Sequence, residues 1–338
     1  MLTLEKSTLT LPTPEELYLD IPQLRSQYEF VMQSRKSIEA ILNGLDKRML
    51  LIVGPCSVHD PNSLLEYAER FKHLAKQVEE KFFMVLRTYF EKPRTTIGWK
   101  GYLLDPHLDG SYDIAKGVRD VRQMLSDITE MEIPVGSEIL EMLPFPYYSD
   151  YLSWACIGAR TCSSPPHRQL AATLPFPVGF KNSVDGNLDV AIQGIVSANS
   201  SHLYLGMGPT GQVVRLYGEG NPSAHIVLRG SEHRPNYFPK DIAKATQKCY
   251  RNEVCHKVVV DCSHDNCFKE HQKQIPVFQS VIEQRKSNPD IAGAMLESHL
   301  FSGNQPLSSN LEYGISVTDP CLDWPTTQKL ILQAFDDL

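Results

Sequence analysis

The sequence predicts a parallel (β/α)8 barrel, a TIM barrel, with an N-terminal extension and an inserted β-hairpin. Three observations predict it. The chain carries eight short apolar runs, most are separated by stretches long enough for a helix, and a charged or metal-binding side chain recurs where the runs stop. Strands buried on both faces read as continuous apolar runs, and helix-length crossovers make consecutive strands parallel. A flat doubly wound sheet is the structural alternative.

The elements follow in order. Residues 1–45 form the extension: a Thr- and Pro-containing stretch to Pro22, then helical spacing over 23–45 carried by Tyr28, Val31, Met32, Ile38, Ile41 and Leu42. Residues 46–338 form the barrel, whose first buried strand is 49–53, ending in Gly54-Pro55-Cys56. The remaining strands fall at 83–89, 134–140, 153–159, 177–181, 225–228, 257–261 and 292–296. Helices are expected between most of them, for instance over 61–81, 112–131, 185–198 and 240–253, with Pro61 and Pro239 suited to helix starts. Two inserts interrupt the alternation: a polar loop at 103–113, and the segment 202–217. The latter reads as two apolar arms around Gly208-Pro209-Thr210-Gly211, a hairpin placed outside the barrel. There is no internal repeat and no low-complexity segment.

A length of 338 residues suits one large barrel with additions, and 42% apolar with 22% charged residues suits a globular protein with an ample core. A formal charge of −7 argues against a general nucleic-acid binder, so any basic site is a local cluster. No apolar run approaches the ~18 residues of a membrane span, and the first residues lack the pattern of a signal peptide. The expected location is cytoplasmic. In that reducing setting the eight cysteines read as free thiols or metal ligands rather than disulfides.

The chemistry gathers at the strand ends. Strand one ends at Cys56, strand two carries Arg87 and runs into Lys92 and Arg94, strand three carries Glu138, and strand four ends at Arg160. Lys181, Arg229, His264 and Glu297 end or follow the next four, with Asp319 beyond. Taken singly, each is as well explained by a rim salt bridge. In a βα barrel, however, all strand C-termini open on one face. Unpaired cations brought together in a partly buried cleft need anions, and arginine recognises phosphate and carboxylate bidentately. There is more positive charge than one phosphate requires. Cys56, His264, Glu297 and Asp319 would make a mixed site for a borderline divalent metal. A hydrolase reading finds no G-x-S-x-G elbow, and a dinucleotide reading no G-x-G-x-x-G after the first strand.

Eight segments occur in a recognisable order: GPCSVHD (54–60), RTYFEKPRTTIGWKG (87–101), IGARTC (157–162), GFKNSVDG (179–186), HIVLRG (225–230), DCSHDN (261–266), LESHL (296–300) and SVTDPC (316–321). Together they closely resemble the short-form microbial type I 3-deoxy-D-arabino-heptulosonate 7-phosphate (DAHP) synthases. The pairing of KPRTT with GWKG is highly specific, whereas GPCS is shared with related phosphoenolpyruvate-condensing enzymes. The resemblance implies a metal-dependent, aldol-like condensation of phosphoenolpyruvate with erythrose 4-phosphate, the first step of the shikimate pathway. It implies that Cys56, His264, Glu297 and Asp319 ligate a divalent ion (Mn, Fe, Co or Zn, manganese favoured). Arg160 matches a residue holding the phosphoenolpyruvate phosphate, beside Ala159, and so does Arg229. Arg87, Lys92 and Lys181 match those facing its carboxylate, with Glu138 beside them. Lys92, Pro93, Arg94 and Thr95 match the erythrose 4-phosphate site, with Asp319 near a sugar hydroxyl. Lys92 is the preferred proton donor, with His264 or a metal-bound water as rival.

The chain departs from the family pattern at Cys162-Ser163-Ser164-Pro165-Pro166, which borders the mouth, and at 143–148 (LPFPYY), near which the family binds an aromatic amino-acid inhibitor. Gly206, where phenylalanine-sensitive relatives often have serine, leaves room for a hydroxyl and favours tyrosine over phenylalanine as effector. Loss of feedback control is the alternative. A homodimer or homotetramer is implied, with the extension and the hairpin as contact and regulatory elements. The rival readings are a sister condenser using another aldose phosphate, a catalytically silent paralogue, and a secondary-metabolism duplicate.

Overall fold

The computed structural model describes residues 10–94 and 97–338. Two helices come first. α1 (Pro14–Asp20) begins in a capping box, Thr13 accepting from the Glu16 backbone while Glu16 reaches back to Thr13. α2 is Arg25–Leu42. Then follow β1 (Met49–Gly54), α3 (Pro61–Gln77), β2 (Phe82–Arg87), α4 (Ile114–Glu130), β3 (Val135–Glu138), β4 (Leu152–Ile157), α5 (Pro165–Thr173), β5 (Val178–Lys181) and α6 (Leu188–Ala198). The chain continues through β6 (His202–Met207), β7 (Val213–Gly218), β8 (His225–Leu228), α7 (Pro239–Arg251), β9 (Val258–Asp261), α8 (Gln274–Arg285), β10 (Ile291–Glu297) and α9 (Trp324–Asp337).

Eight of these strands close into a barrel in the order β1-β10-β9-β8-β5-β4-β3-β2, and every neighbouring pair is parallel. The flat sheet is thereby excluded. Side chains alternate across each strand. On β1, Leu50 and Ile52 join the interior cluster with Val85, Trp154, Val227, Val259 and Met295, while Met49, Leu51 and Val53 face the surrounding helices. Trp154 fills the interior because its neighbours on the flanking strands are Gly136 and Gly179. A Cβ there would stand 3.1 Å and 2.8 Å from the indole.

The extension is part of this core. Ile38, Ile41 and Leu42 of α2 belong to the interior cluster, and Arg35 donates to the carbonyl of Leu152 at the start of β4 (2.8 Å). α2 therefore closes the barrel at the strand N-termini, leaving the opposite end open for the site.

β6 and β7 form a separate antiparallel sheet, Tyr204 opposite Leu216 and Gly206 opposite Val214. The hairpin packs on α5, and its tip receives α1 through Glu15 N–H to Pro209 O (2.9 Å). The room expected at Gly206 is already taken: a Cβ there would meet Leu216 at 2.7 Å and Tyr204 at 3.1 Å.

Several boundaries differ from the sequence reading. The second strand leaves the sheet after Arg87, the third after Glu138 and the fourth after Ile157. The apolar pattern runs on because Tyr89, Phe90 and Ile139 remain buried beyond the strands, in the walls of the mouth. Pro165 and Pro166 occupy the first turn of α5, where a missing N–H costs nothing. That departure from the family pattern begins a helix. Among the described residues no helix is long and apolar enough to cross a membrane.

Candidate active site and metal centre

The C-terminal ends of the barrel strands surround a cavity of about 300 Å³. Lys92, Pro93, Arg94, Glu138, Ala159, Arg160, Lys181, Arg229, His264 and Asp319 all line it. Cys56, Arg87 and Glu297 lie deeper, at 0%, 1% and 2% exposure. Thr95 falls outside the described residues. Strand geometry brings several of these side chains together across long distances in sequence. Arg87, Glu138, Lys181 and Glu297 are the last residues of β2, β3, β5 and β10, and Arg229 directly follows β8.

Arg87 organises the floor. Its Nε donates to Pro55 O (3.0 Å), and Nη2 donates to Cys56 O (3.1 Å) and Glu297 Oε1 (2.7 Å). The guanidinium lies 3.5 Å from the centre of the Tyr89 ring. Burial opposes its charge, but Glu297 foremost, then Tyr89, Cys56 and Asp261, together outweigh that penalty, so the pKa rises. Its remaining terminal nitrogen, Nη1, is buried with no hydrogen-bond partner. An unsatisfied buried donor of this kind is costly, and it suits a ligand acceptor. Gly54, with φ at +157°, lets this arrangement form: a Cβ there would stand 2.7 Å from the Arg87 carbonyl.

Lys92 reaches the same floor from the segment after β2. Its Nζ stands 3.1 Å from Cys56 O and 3.2 Å from Cys56 Sγ. Burial disfavours its ammonium, yet Cys56, Glu297 and Asp319 outweigh that penalty and raise the pKa. The lysine is held charged. The Cys56 thiol is pushed up, first by burial and then by Glu297. Asp319 is depressed despite burial by Lys92, His264 and Lys269.

Cys56, Glu297 and Asp319 offer ligand atoms that lie within 4.8 Å of one another. The fourth expected ligand, His264, is not in that tight group. Its Nε2 stands 3.9 Å from Glu297 Oε1, while Nδ1 faces Asp261 at 2.8 Å. One sulfur, two carboxylates and an imidazole nitrogen at the edge of the group fit a borderline divalent ion, and a carboxylate behind the histidine is the usual orienting partner.

Asp261 was not singled out from the sequence. It ends β9, is fully buried, and pairs with Lys181 Nζ at 3.0 Å as well as with His264. Burial would raise its pKa, but His264 and Lys181 drive it well below the carboxylate range. Its position as the last residue of an apolar strand was the available signal. Asp265, paired with Arg229, and Lys269, on the cavity wall, were also missed. They sit in an irregular turn where His264, Phe268 and Lys269 adopt left-handed backbone (φ 54°, 55° and 59°), which no strand or helix pattern announces. Gly158 has a visible purpose: a Cβ there would stand 2.1 Å from Glu138 Oε1, so glycine lets that carboxylate lie against the β4 loop.

The arrangement can hold anions against Lys92, Arg94, Arg160, Lys181, Arg229 and Lys269 over a candidate metal centre. Comparison with known proteins identifies the family. Residues 26–332 match the family described as "DAHP synthetase I family". The Tyr-sensitive phospho-2-dehydro-3-deoxyheptonate aldolase of Escherichia coli K12 is 43% identical over 332 residues, covering 97% of this chain and 93% of that protein. The Trp-sensitive enzyme of Enterobacter agglomerans is 43% identical over 325 residues, covering 95% and 93%. The structure of phospho-2-dehydro-3-deoxyheptonate aldolase from Francisella tularensis SCHU S4 superposes with a TM-score of 0.97 at 40% identity, covering 99% of this chain and 98% of that one. The chain belongs to the DAHP synthetase I family.

Proposed function

We propose that this protein is a DAHP synthase, a transferase that condenses phosphoenolpyruvate with D-erythrose 4-phosphate and water to give DAHP and phosphate, opening aromatic amino-acid biosynthesis. The observation that carries the reading is the cation-lined cavity at the strand ends, standing over Cys56, Glu297 and Asp319, in a chain of this family.

In this reading Arg160 and Arg229 hold the phosphate of phosphoenolpyruvate. Arg87, through its unsatisfied Nη1, together with Lys92 and Lys181, faces the carboxylate. Arg94 and Thr95 take the sugar phosphate, and Asp319 a sugar hydroxyl. Cys56, His264, Glu297 and Asp319 hold the divalent ion, manganese favoured, which when bound supplies Lewis-acid polarisation. C3 of phosphoenolpyruvate attacks the aldehyde carbon, water adds at C2, and the phosphohemiketal loses phosphate. Lys92 Nζ donates the proton to the nascent alkoxide. Its raised pKa keeps it protonated at neutrality. The cations hold two mutually repelling substrates in attack geometry, where positioning is worth on the order of 7–11 kcal/mol.

Two further parts of the reading concern regulation and setting. An aromatic amino acid binds near 143–148 and the hairpin. Two relatives are named Tyr-sensitive and Trp-sensitive at equal identity, which supports an aromatic effector without choosing between tyrosine and tryptophan. The hairpin's outer face, with Leu203, Leu205, Val213 and Tyr217 exposed, supports a homodimer or homotetramer. All eight cysteines are free, which suits a reducing cytoplasm.

The test is phosphate release on mixing phosphoenolpyruvate with erythrose 4-phosphate and Mn, with and without chelator, then with Tyr, Phe or Trp. Turnover that needs both substrates and stops on chelation supports the reading. Phosphate release with a five-carbon aldose phosphate but not the four-carbon one would overturn it.

A further inference from the structure

Glu91 is a buried acid that the reaction scheme above does not use. It is 2% exposed, and among the described residues no basic side chain lies within ion-pair distance of it. Its two oxygens are instead taken by two separate points on the β3–β4 connection. Oε1 accepts from the backbone N–H of Glu141 (3.1 Å), and Oε2 accepts from the hydroxyl of Tyr148 (3.1 Å). Tyr148 is itself fully buried, with its ring edge-on to Phe90 at 4.7 Å.

The next residue is Lys92, whose side chain reaches Cys56 on the floor of the site. The segment that carries it belongs to no sheet, so no strand ladder fixes its place. Contacts on two sides replace the ladder. On one side Lys92 N–H donates to Lys100 O (2.9 Å), and Gly101 packs so closely that a Cβ there would stand 2.4 Å from Phe90 O. On the other side stands Glu91, held by Glu141 and Tyr148. An apolar side chain at 91 would leave two buried donors unsatisfied and remove one of the two walls.

We propose that Glu91, clamped by Tyr148 and the Glu141 amide, is the positioning residue that holds Lys92 over the reacting carbonyl oxygen. The inference rests on the reading of Lys92 as proton donor.

The clamp is sensitive to charge. Burial pushes the Glu91 carboxyl up to about 8 against the lowering effect of its two hydrogen bonds. The titratable groups around it are Glu141 and Tyr148 on the β3–β4 connection, His167 of α5, which bonds Leu140 O, and Lys92 and Lys100 on its own segment. Glu141 adds like charge. Raising the pH through 8 therefore places an unpaired anion in the clamp and favours its opening.

The experiment is steady-state kinetics from pH 6 to 9.5 on the Mn-loaded full chain, comparing wild type with Glu91→Gln, Glu91→Ala, Tyr148→Phe and Lys92→Met. Glu91→Ala is expected to lower kcat roughly tenfold or more, with KM for either substrate moving less than about threefold. Tyr148→Phe lowers kcat by a smaller factor. Glu91→Gln, which keeps the shape and cannot ionise, restores kcat at pH 7 to within about threefold and loses the wild-type alkaline decline centred near 8. If Glu91→Ala fails to fold, the glutamine and phenylalanine variants decide. A Glu91→Gln enzyme that keeps that alkaline limb, or a Tyr148→Phe enzyme indistinguishable from wild type, overturns the proposal. Lys92→Met with undiminished turnover overturns instead the assignment of Lys92 on which it rests.

Discussion

Nη2 of Arg87 stands 2.7 Å from Oε1 of Glu297, and both side chains are almost wholly excluded from solvent. The pair joins β2 to β10 across β1, and it gives Glu297 a direct ion-pair partner where its carboxylate lies beside Cys56 and Asp319. Removing the cation strands the anion. Arg87→Ala is expected to destabilise the fold by roughly 3–5 kcal/mol, measured by urea denaturation in chelator. Adding Mn should recover part of that loss, because a bound divalent ion supplies the missing positive charge. A variant equally unstable with and without Mn would show that Glu297 does not meet the ion.

Metal binding has its own signature in the parent protein. A ligand present at a hundred times its dissociation constant stabilises the folded state by about 2.7 kcal/mol. Mn is expected to raise the unfolding midpoint of wild type accordingly, and Cys56→Ala should abolish most of the rise. Since the Cys56 thiol is pushed up by burial and by Glu297, binding should also release a proton, visible as buffer-dependent heat in calorimetry.

Lys92→Met keeps the length of the side chain and removes the ammonium. A positioned proton donor contributes about 10²–10⁴ in rate, so kcat should fall by at least about a hundredfold while the far-ultraviolet spectrum is unchanged. Lys92→Arg should recover little of it, because a guanidinium gives up a proton poorly. The measurement is phosphate release under saturating substrates.

The acid limb of stability has an identifiable contributor. His225 is fully buried in the barrel, where Trp154 Nε1 donates to its Nε2 (3.2 Å) and Nδ1 faces Ser223 O at 2.9 Å. Burial lowers its pKa to about 4 from 6.5. The unfolded chain therefore binds a proton between these values that the folded chain refuses. Stability is fully present above pH 6.5 and is lost as the pH falls towards 4, by about 3 kcal/mol at one pKa unit per 1.36 kcal/mol. Replacing it by Gln should reduce stability at pH 7 and flatten its pH dependence between 6.5 and 4, read from denaturant midpoints. An equal pH slope in the variant would remove His225 from this role.

Much of the site was legible because βα barrels turn strand order into spatial order. Each of Cys56, Glu138, Lys181, Arg229 and Glu297 could be read as a mouth residue from its place at the end of an apolar run. Where the chain left regular structure the reading weakened. Asp261 and Asp265 escaped notice although one ends a strand, because an acid beside a histidine has many explanations until its partners are known. Lys269 depends on left-handed backbone at two successive side-chain-bearing residues, for which no periodicity exists. The space at Gly206 was misjudged for a related reason: absence of a side chain at one residue says nothing about which neighbour fills the gap, and Leu216 does.

The order of apolar runs, their length and their polar ends determined the barrel and the kinds of ion it attracts, since burial and spacing are properties the linear pattern itself carries. Which atoms approach which was decided only in three dimensions. That Cys56, Glu297 and Asp319 meet while His264 stands at their edge, that Arg87 keeps one nitrogen unsatisfied, and that Glu91 is clamped beside Lys92 all depend on distances between segments far apart in the chain. Closure of the barrel fixes those distances, and no local pattern encodes them.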